Sequence, residues 1–368
     1  MLNSTGRKYR MIFQRALLRE FAGLAGAVFM TLFAIAVTTR LIRLLGQAAG
    51  GKFPSDAVFA FLGFFALGAL PVLLSLTMFI SVLLTMTRSW RDSEMVIWFA
   101  AGQPLTAWLK PVLLFAAPQI VVITALSMFI SPWAAQMAGQ YTSRLEQRDD
   151  VSRVMPGVFG ETSNRTRVFF VESVSGDSSA VQNIFVSSIQ QNRSGVSMSR
   201  SGHTEIAANG DRFIVLEQGR RYEGAPGDPE YRITEFERHA ARIEMKEGKE
   251  VQPTHKNLPT WSLIASPTSQ NLGELLWRVG IPLSALVLVL LAIPMSYVNP
   301  RAGRSVNLLF ALLTYIVYSN LLSVSQARVA QGRMDFSVGL WLVHAGMVIL
   351  LIVMFAQRMQ WLRLRFGK

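Results

Sequence analysis

The sequence predicts a membrane α-helical protein of six transmembrane helices, with one all-β domain (a sandwich, jelly roll or open barrel) inserted between the third and fourth. Three observations carry that prediction. The chain of 368 residues is 51% hydrophobic and only 16% charged, too few charges for an ordinary soluble protein of this length. Its apolar residues gather into six stretches of roughly 20 residues, the length that crosses a bilayer as a helix. Between the third and fourth of these, residues 138–270 change to short runs rich in β-branched and aromatic residues.

Taken in order, the spans are Leu24–Leu45, Ala57–Met86, Leu105–Ile130, Leu275–Val298, Leu308–Val324 and Val338–Phe355. Pro71, Pro118, Pro282 and Pro294 fall inside them, which membrane helices tolerate when packing re-satisfies the backbone. The first span is too long for a cleavable signal peptide and no small-x-small site follows it. Met11-Ile12-Phe13-Gln14-Arg15 reads as an alternative start with an ordinary cytoplasmic flank.

In the insertion, Arg167–Val174, Ile184–Ile189, Arg212–Leu216 and Tyr231–Ile243 read as strands. Turn clusters separate them at Ser175-Gly176-Asp177, Asn209-Gly210-Asp211 and Gly224–Asp228. Lys246–Lys256 reads as a polar linker, and Trp261 as a marker of the return to the membrane surface. The predicted partition is 11–137 for spans one to three, with a cytoplasmic helix at about 89–102 between the second and third. The β domain takes 138–270, and spans four to six with a cytoplasmic C-terminus take 271–368.

The net charge of +13 raises the question of nucleic acid. Residues 138–270 hold 16 basic and 17 acidic residues, so the membrane parts and their flanks keep 20 basic against 6 acidic. A nucleic-acid binder would carry its excess on a soluble face. Here the soluble part is neutral, and the excess is a topology signal. Fourteen of those 20 basic residues fall on one side of the membrane and six on the other. Both termini are therefore expected in the cytoplasm and the β domain in the periplasm.

Two places are candidates for function. In the connection Arg88–Pro104, Met95, Trp98 and Phe99 recur at i, i+3 and i+4, and Asp92 and Glu94 stand at the helix start. The pattern fits a helix lying on lipid headgroups, or a docking helix in a groove on a cytoplasmic partner, with Arg91 on its rim. The acidic residues favour the partner, because lipid-surface helices usually carry a basic polar face. Arg40 and Arg43 lie one turn apart near the far end of span one. They fit snorkelling cations or a pair of donors for a phosphorylated headgroup. Glu274 and Arg278 read as an i, i+4 pair at the head of span four.

Catalytic patterns do not stand out. The chain has no cysteine, its four histidines show no metal-ligand spacing, and no Gly-x-x-x-x-Gly-Lys-Ser/Thr loop occurs. No cofactor or metal is expected, and ATP-driven work would have to come from another subunit.

The chain resembles the LptF/LptG permease family of the lipopolysaccharide export ABC transporter, over nearly its whole length from Met11. The resemblance rests on Arg40-Leu41-Ile42-Arg43-Leu44-Leu45-Gly46, Asp92-Ser93-Glu94-Met95, Ala101-Gly102 and Gln218-Gly219-Arg220-Arg221-Tyr222-Glu223-Gly224. It continues through Tyr231-Arg232-Ile233-Thr234-Glu235-Phe236, Glu274-Leu275-Leu276-Trp277-Arg278 and Val298-Asn299-Pro300-Arg301-Ala302-Gly303-Arg304. It is closer to the LptF branch than to the LptG branch. It implies a permease that extracts lipopolysaccharide from the inner membrane, with an LptG-like permease, two copies of an LptB-like ATPase, an LptC-like bitopic protein and a periplasmic LptA-like bridge as partners. It also implies a coupling helix around Asp92–Ala101, with Glu94 near the ATPase, and a lipid cavity faced by Arg40 and Arg43. Trp98-Phe99 is bulkier than the family pattern leads one to expect at that helix. The competing classes are a stand-alone secondary transporter and a membrane-anchored periplasmic lipid-binding scaffold.

Overall fold

The structure, a computed structural model, describes residues 2–50, 52–101, 103–152, 159–161, 167–174, 180–190, 193–206, 212–224, 231–243, 254–297 and 305–359. The predicted turns at 175–177 and 209–211, most of the linker 246–256, the loop 299–304 and the basic residues after 359 lie outside the described residues. The chain divides into two compact units, 1–138 with 253–368, and 139–252.

The first unit is helical. Its elements are α1 (Leu2–Ala49), α2 (Ala57–Arg91), α3 (Glu94–Ala100), α4 (Leu109–Ala125), the first part of α5 (Ser131–Ser152), which continues past 138 into the second unit, α6 (Thr260–Ala265), α7 (Ser269–Met295), α8 (Ser305–Ala330) and α9 (Phe336–Arg358). A 3-10 turn at Leu105–Trp108 leads into α4, and a π-turn at Leu126–Ile130 joins α4 to α5. Among the described residues, six helical stretches are long and apolar enough to cross a membrane, and they contain or overlap the six predicted spans. The third runs on to Leu145, well past the predicted Ile130, because the π-turn bends the helix without ending it.

The spans bury themselves unequally. In α7 67% of the most apolar window is buried, against 6% in α1. Span four is thus the axle of the unit, with Leu288, Val289, Leu291 and Ala292 packed among residues of α2 and α4. Its neighbours approach closely through small residues, the usual device where lipid removes the hydrophobic drive between helices. A Cβ on Gly280 would stand 2.8 Å from Leu322, and one on Gly339 would stand 2.6 Å from Val329. Helix α8 stops at a Schellman turn: the Gly332 amide donates to Val329 and the Arg333 amide to Arg328. The turn needs the left-handed φ of +69° that Gly332 supplies.

The second unit is an antiparallel sheet of six described strands, β1 (Phe159–Glu161), β2 (Arg167–Val174), β3 (Ala180–Gln190), β4 (Arg193–Ile206), β5 (Arg212–Gly224) and β6 (Tyr231–Ile243). Each described strand pairs with its neighbour in sequence, so the inserted β domain is a continuous meander among the described residues. β4, Arg193–Ile206, was missed as a strand because its serines and glycines hide the alternation. The ladder omits one pair in each of four successive pairings, where Glu172, Asn183, Arg200, Gln218 and Glu237 line up across the sheet. Register is the same on both sides of the gap. Asn183 and Gln218 have φ of 49° and 51°, so the strands crease there together. Beside the crease an open cavity of about 880 Å³ is lined by Ile184, Phe185, Met198, Arg220, Tyr222 and Phe236 among others.

Candidate functional site

The segment after α2 is built around a break. The helix ends at Arg91, Asp92 caps it, and Ser93 takes φ 60°, a rare conformation for a residue with a Cβ. The chain then starts the seven-residue α3 almost at once. The predicted single helix over 89–102 is therefore the end of α2, a kink, and α3.

Arg88 holds the kink. Its Nε lies 2.5 Å from Glu20 of α1, and its Nη1 lies 3.4 Å from Asp92 and 3.2 Å from Glu94. Arg91 pairs with Asp92 at 3.4 Å. One guanidinium thus ties α1, the end of α2 and the start of α3. These side chains are about 40% exposed, so each pair contributes no more than ~0.2–1 kcal/mol. The Arg88–Asp92 contact is readable from i, i+4 spacing, whereas Glu20 lies on another helix and gives no signal in the sequence.

The apolar stripe of α3 faces inward, which corrects the predicted docking face. Met95 is fully buried against the chain's own helices and cannot touch a partner. Trp98 packs against the same core. Phe99 lies with its ring 5.5 Å from Trp90 and 5.8 Å from Trp108. Trp90 in turn meets Tyr297 edge-on at 4.9 Å, and the Arg358 guanidinium sits 4.1 Å over the Tyr297 ring. Periodicity identifies a buried face but not what buries it. The bulk at 98–99 is accounted for by this aromatic chain, which links α3 to the ends of α7 and α9. The large residues α3 leaves most outward are Val96 and Ile97, 58% and 68% exposed, with Phe99 partly exposed beside its aromatic contacts and Asp92, Arg91 and the half-buried Glu94 around them.

Arg40 and Arg43 sit near the other end of α1. Leu44 is buried and docks α1 at this level. Arg40 is half-buried, its guanidinium 5.2 Å over the Phe65 ring of α2, and its enclosed Nε has no hydrogen-bond partner among the described residues. Arg43 is exposed. The structure therefore separates the pair: one cation is held against an aromatic face and the other is free to reach outward.

Two polar features of the spans are buried, which spacing alone does not show. Tyr318 of α8 and His344 of α9 share a buried hydrogen bond of 2.5 Å between Oη and Nδ1. Arg278 and Glu274, read as a helix-start pair, are almost wholly buried at 3.0 Å. Among the described residues, no group of three His, Asp or Glu side chains is placed to hold a metal ion.

Residues 15–357 match the family of lipopolysaccharide export system permeases LptF/LptG. The chain is 26% identical over 348 residues to the lipopolysaccharide export system permease protein LptF of Escherichia coli K12, covering 94% of both chains. The LptF proteins of E. coli O157:H7 and of Shigella flexneri match to the same extent.

Proposed function

We propose how this chain works from the premise that it belongs to the lipopolysaccharide export permease LptF/LptG family and is a multi-pass inner-membrane permease subunit of that transporter. The kink and α3 form the coupling element, on the cytoplasmic side. A separate LptB-like ATPase, present in two copies, docks on Val96 and Ile97 inside the rim of Arg91, Asp92 and Glu94. An LptG-like permease completes the cavity, and an LptC-like protein and an LptA-like bridge receive the lipid on the periplasmic side.

The observation that carries this reading is the outward Val96–Ile97 pair on a helix whose other face is locked into the chain's own core. Two adjacent apolar residues with a charged rim fit a groove on a protein. A face resting on anionic headgroups would carry a basic rim instead. Motion imposed on α3 reaches α1 through Glu94, Arg88 and Glu20, and reaches α7 and α9 through Phe99, Trp90, Tyr297 and Arg358. At the far end of α1, Arg43 takes the phosphorylated headgroup, with Arg40 behind it. Permease halves of this kind need no nucleotide site of their own.

The test is co-purification from mild detergent. Val96→Asp with Ile97→Asp should reduce recovery of the ATPase about tenfold or more, as loss of an interface centre does. Glu94→Lys should also weaken it. Full recovery with the double variant overturns the docking assignment. Arg43→Glu should lower crosslinking to lipopolysaccharide in the assembled complex; unchanged crosslinking leaves Arg43 a surface anchor only.

A further inference from the structure

We infer that Arg278 is a positioning residue: it locks both chain segments that border the β insertion to span four, so that they move with that helix as one body. The inference rests on reading the chain as a permease half.

Arg278 lies in α7 and is 2% exposed. Its Nε donates to Glu274 at 3.0 Å and its Nη1 to Thr260 Oγ1 at 2.8 Å. Its Nη2 donates to the carbonyls of Lys256 at 3.2 Å and His255 at 3.5 Å. The fork therefore grips the segment on which the chain returns from the insertion. Thr260 passes the link on, donating its own hydroxyl hydrogen to the Met128 carbonyl. Met128 belongs to the π-turn through which span three continues into α5, the helix that leads out toward the insertion. A π-turn alters the regular i→i−4 bonding, and here a carbonyl within it accepts from another segment. The circuit closes on the same residue, because Ser127 donates to the backbone carbonyl of Arg278 at 3.0 Å.

Stability alone is a poor reason for this arrangement. Stripping water from a guanidinium costs several kcal/mol, and apolar side chains of the same volume commonly stabilise as well or better. What a planar fork supplies is one geometry for four acceptors at once. In a transporter that would make the outgoing and returning segments follow span four, whose opposite end lies at the aromatic chain from α3.

The experiment uses the assembled complex, in a background free of other reactive thiols; this chain has no cysteine to remove. Spin labels go on Phe129→Cys and Ile264→Cys, both exposed positions on the outgoing and returning segments. With Arg278 in place the label distance should stay single and narrow with and without ATP. Arg278→Lys keeps the charge but loses the fork. It should broaden the distance and lower lipopolysaccharide released per ATP hydrolysed at least about fivefold, the lower range of coupling between sites, with the ATPase rate preserved. If Arg278→Lys does not assemble, Thr260→Val carries the same test with the ion pair intact. A distance that shifts with ATP in the parent chain overturns the inference. So does a variant whose distance stays narrow or whose lipid release per ATP is unchanged. A parent complex that hydrolyses ATP and releases no lipid would refute the permease reading instead.

Discussion

Arg88 faces three carboxylates, Glu20, Asp92 and Glu94, and among the described residues Arg91 is the one further cation paired with them. Two cations against three anions leave the kink with a surplus negative charge, a suitable rim for a basic partner. The same balance predicts what removing Arg88 does. Three partly exposed pairs at ~0.2–1 kcal/mol each give a total of ~0.6–3 kcal/mol, centred near the ~1.4 kcal/mol of a tenfold change. Arg88→Ala should therefore speed amide exchange across α3 by about tenfold, and high salt should narrow the difference. Unchanged exchange would show that Met95 and the aromatic contacts hold α3 unaided. At this scale the sequence was partly legible. Spacing gave Glu274–Arg278 as a pair. It could not give Glu20, nor the burial of Arg278, because those depend on which helices become neighbours.

At the scale of elements, hydropathy located every span, since a bilayer imposes length and composition together. It was silent on which face of a helix meets protein, and α3 shows the cost of that silence: in the stripe at 95, 98 and 99 the chain itself buries Met95 and packs against Trp98, and leaves Phe99 partly exposed. The β unit offers adjacent positions with opposite expectations. Gln218 pays for a left-handed backbone that glycine adopts freely, so Gln218→Gly should stabilise the sheet by ~1 kcal/mol. A Cβ on Gly219 would lie 2.5 Å from the Met198 carbonyl oxygen, so Gly219→Ala should destabilise it by ~1–3 kcal/mol. Amide exchange of β4 and β5 in the full chain reads both; equal effects of the two changes would contradict the crease geometry. The strands themselves were mostly legible, but the row of omitted pairs was not, because it arises from the alignment of five residues on five different strands.

For the whole molecule, the partition of charge was the most informative global property. From a neutral insertion and a positive remainder, with 14 basic residues on one side against six on the other, we propose cytoplasmic termini and a periplasmic β unit. That orientation predicts opposite accessibility for two exposed sites, Ile97 on α3 and Trp261 on α6. In right-side-out vesicles, a membrane-impermeant thiol reagent should label Trp261→Cys and leave Ile97→Cys untouched; the reverse pattern would invert the topology. The crease across the β unit has a mechanical consequence of its own. A sheet owes its stiffness along the strands to regular backbone geometry and its cohesion between strands to the ladder. A line of missing pairs at right angles to the strands acts like a score in card. It gives the sheet one soft bending axis, along which the trough can widen or narrow while every strand keeps both its neighbour and its register.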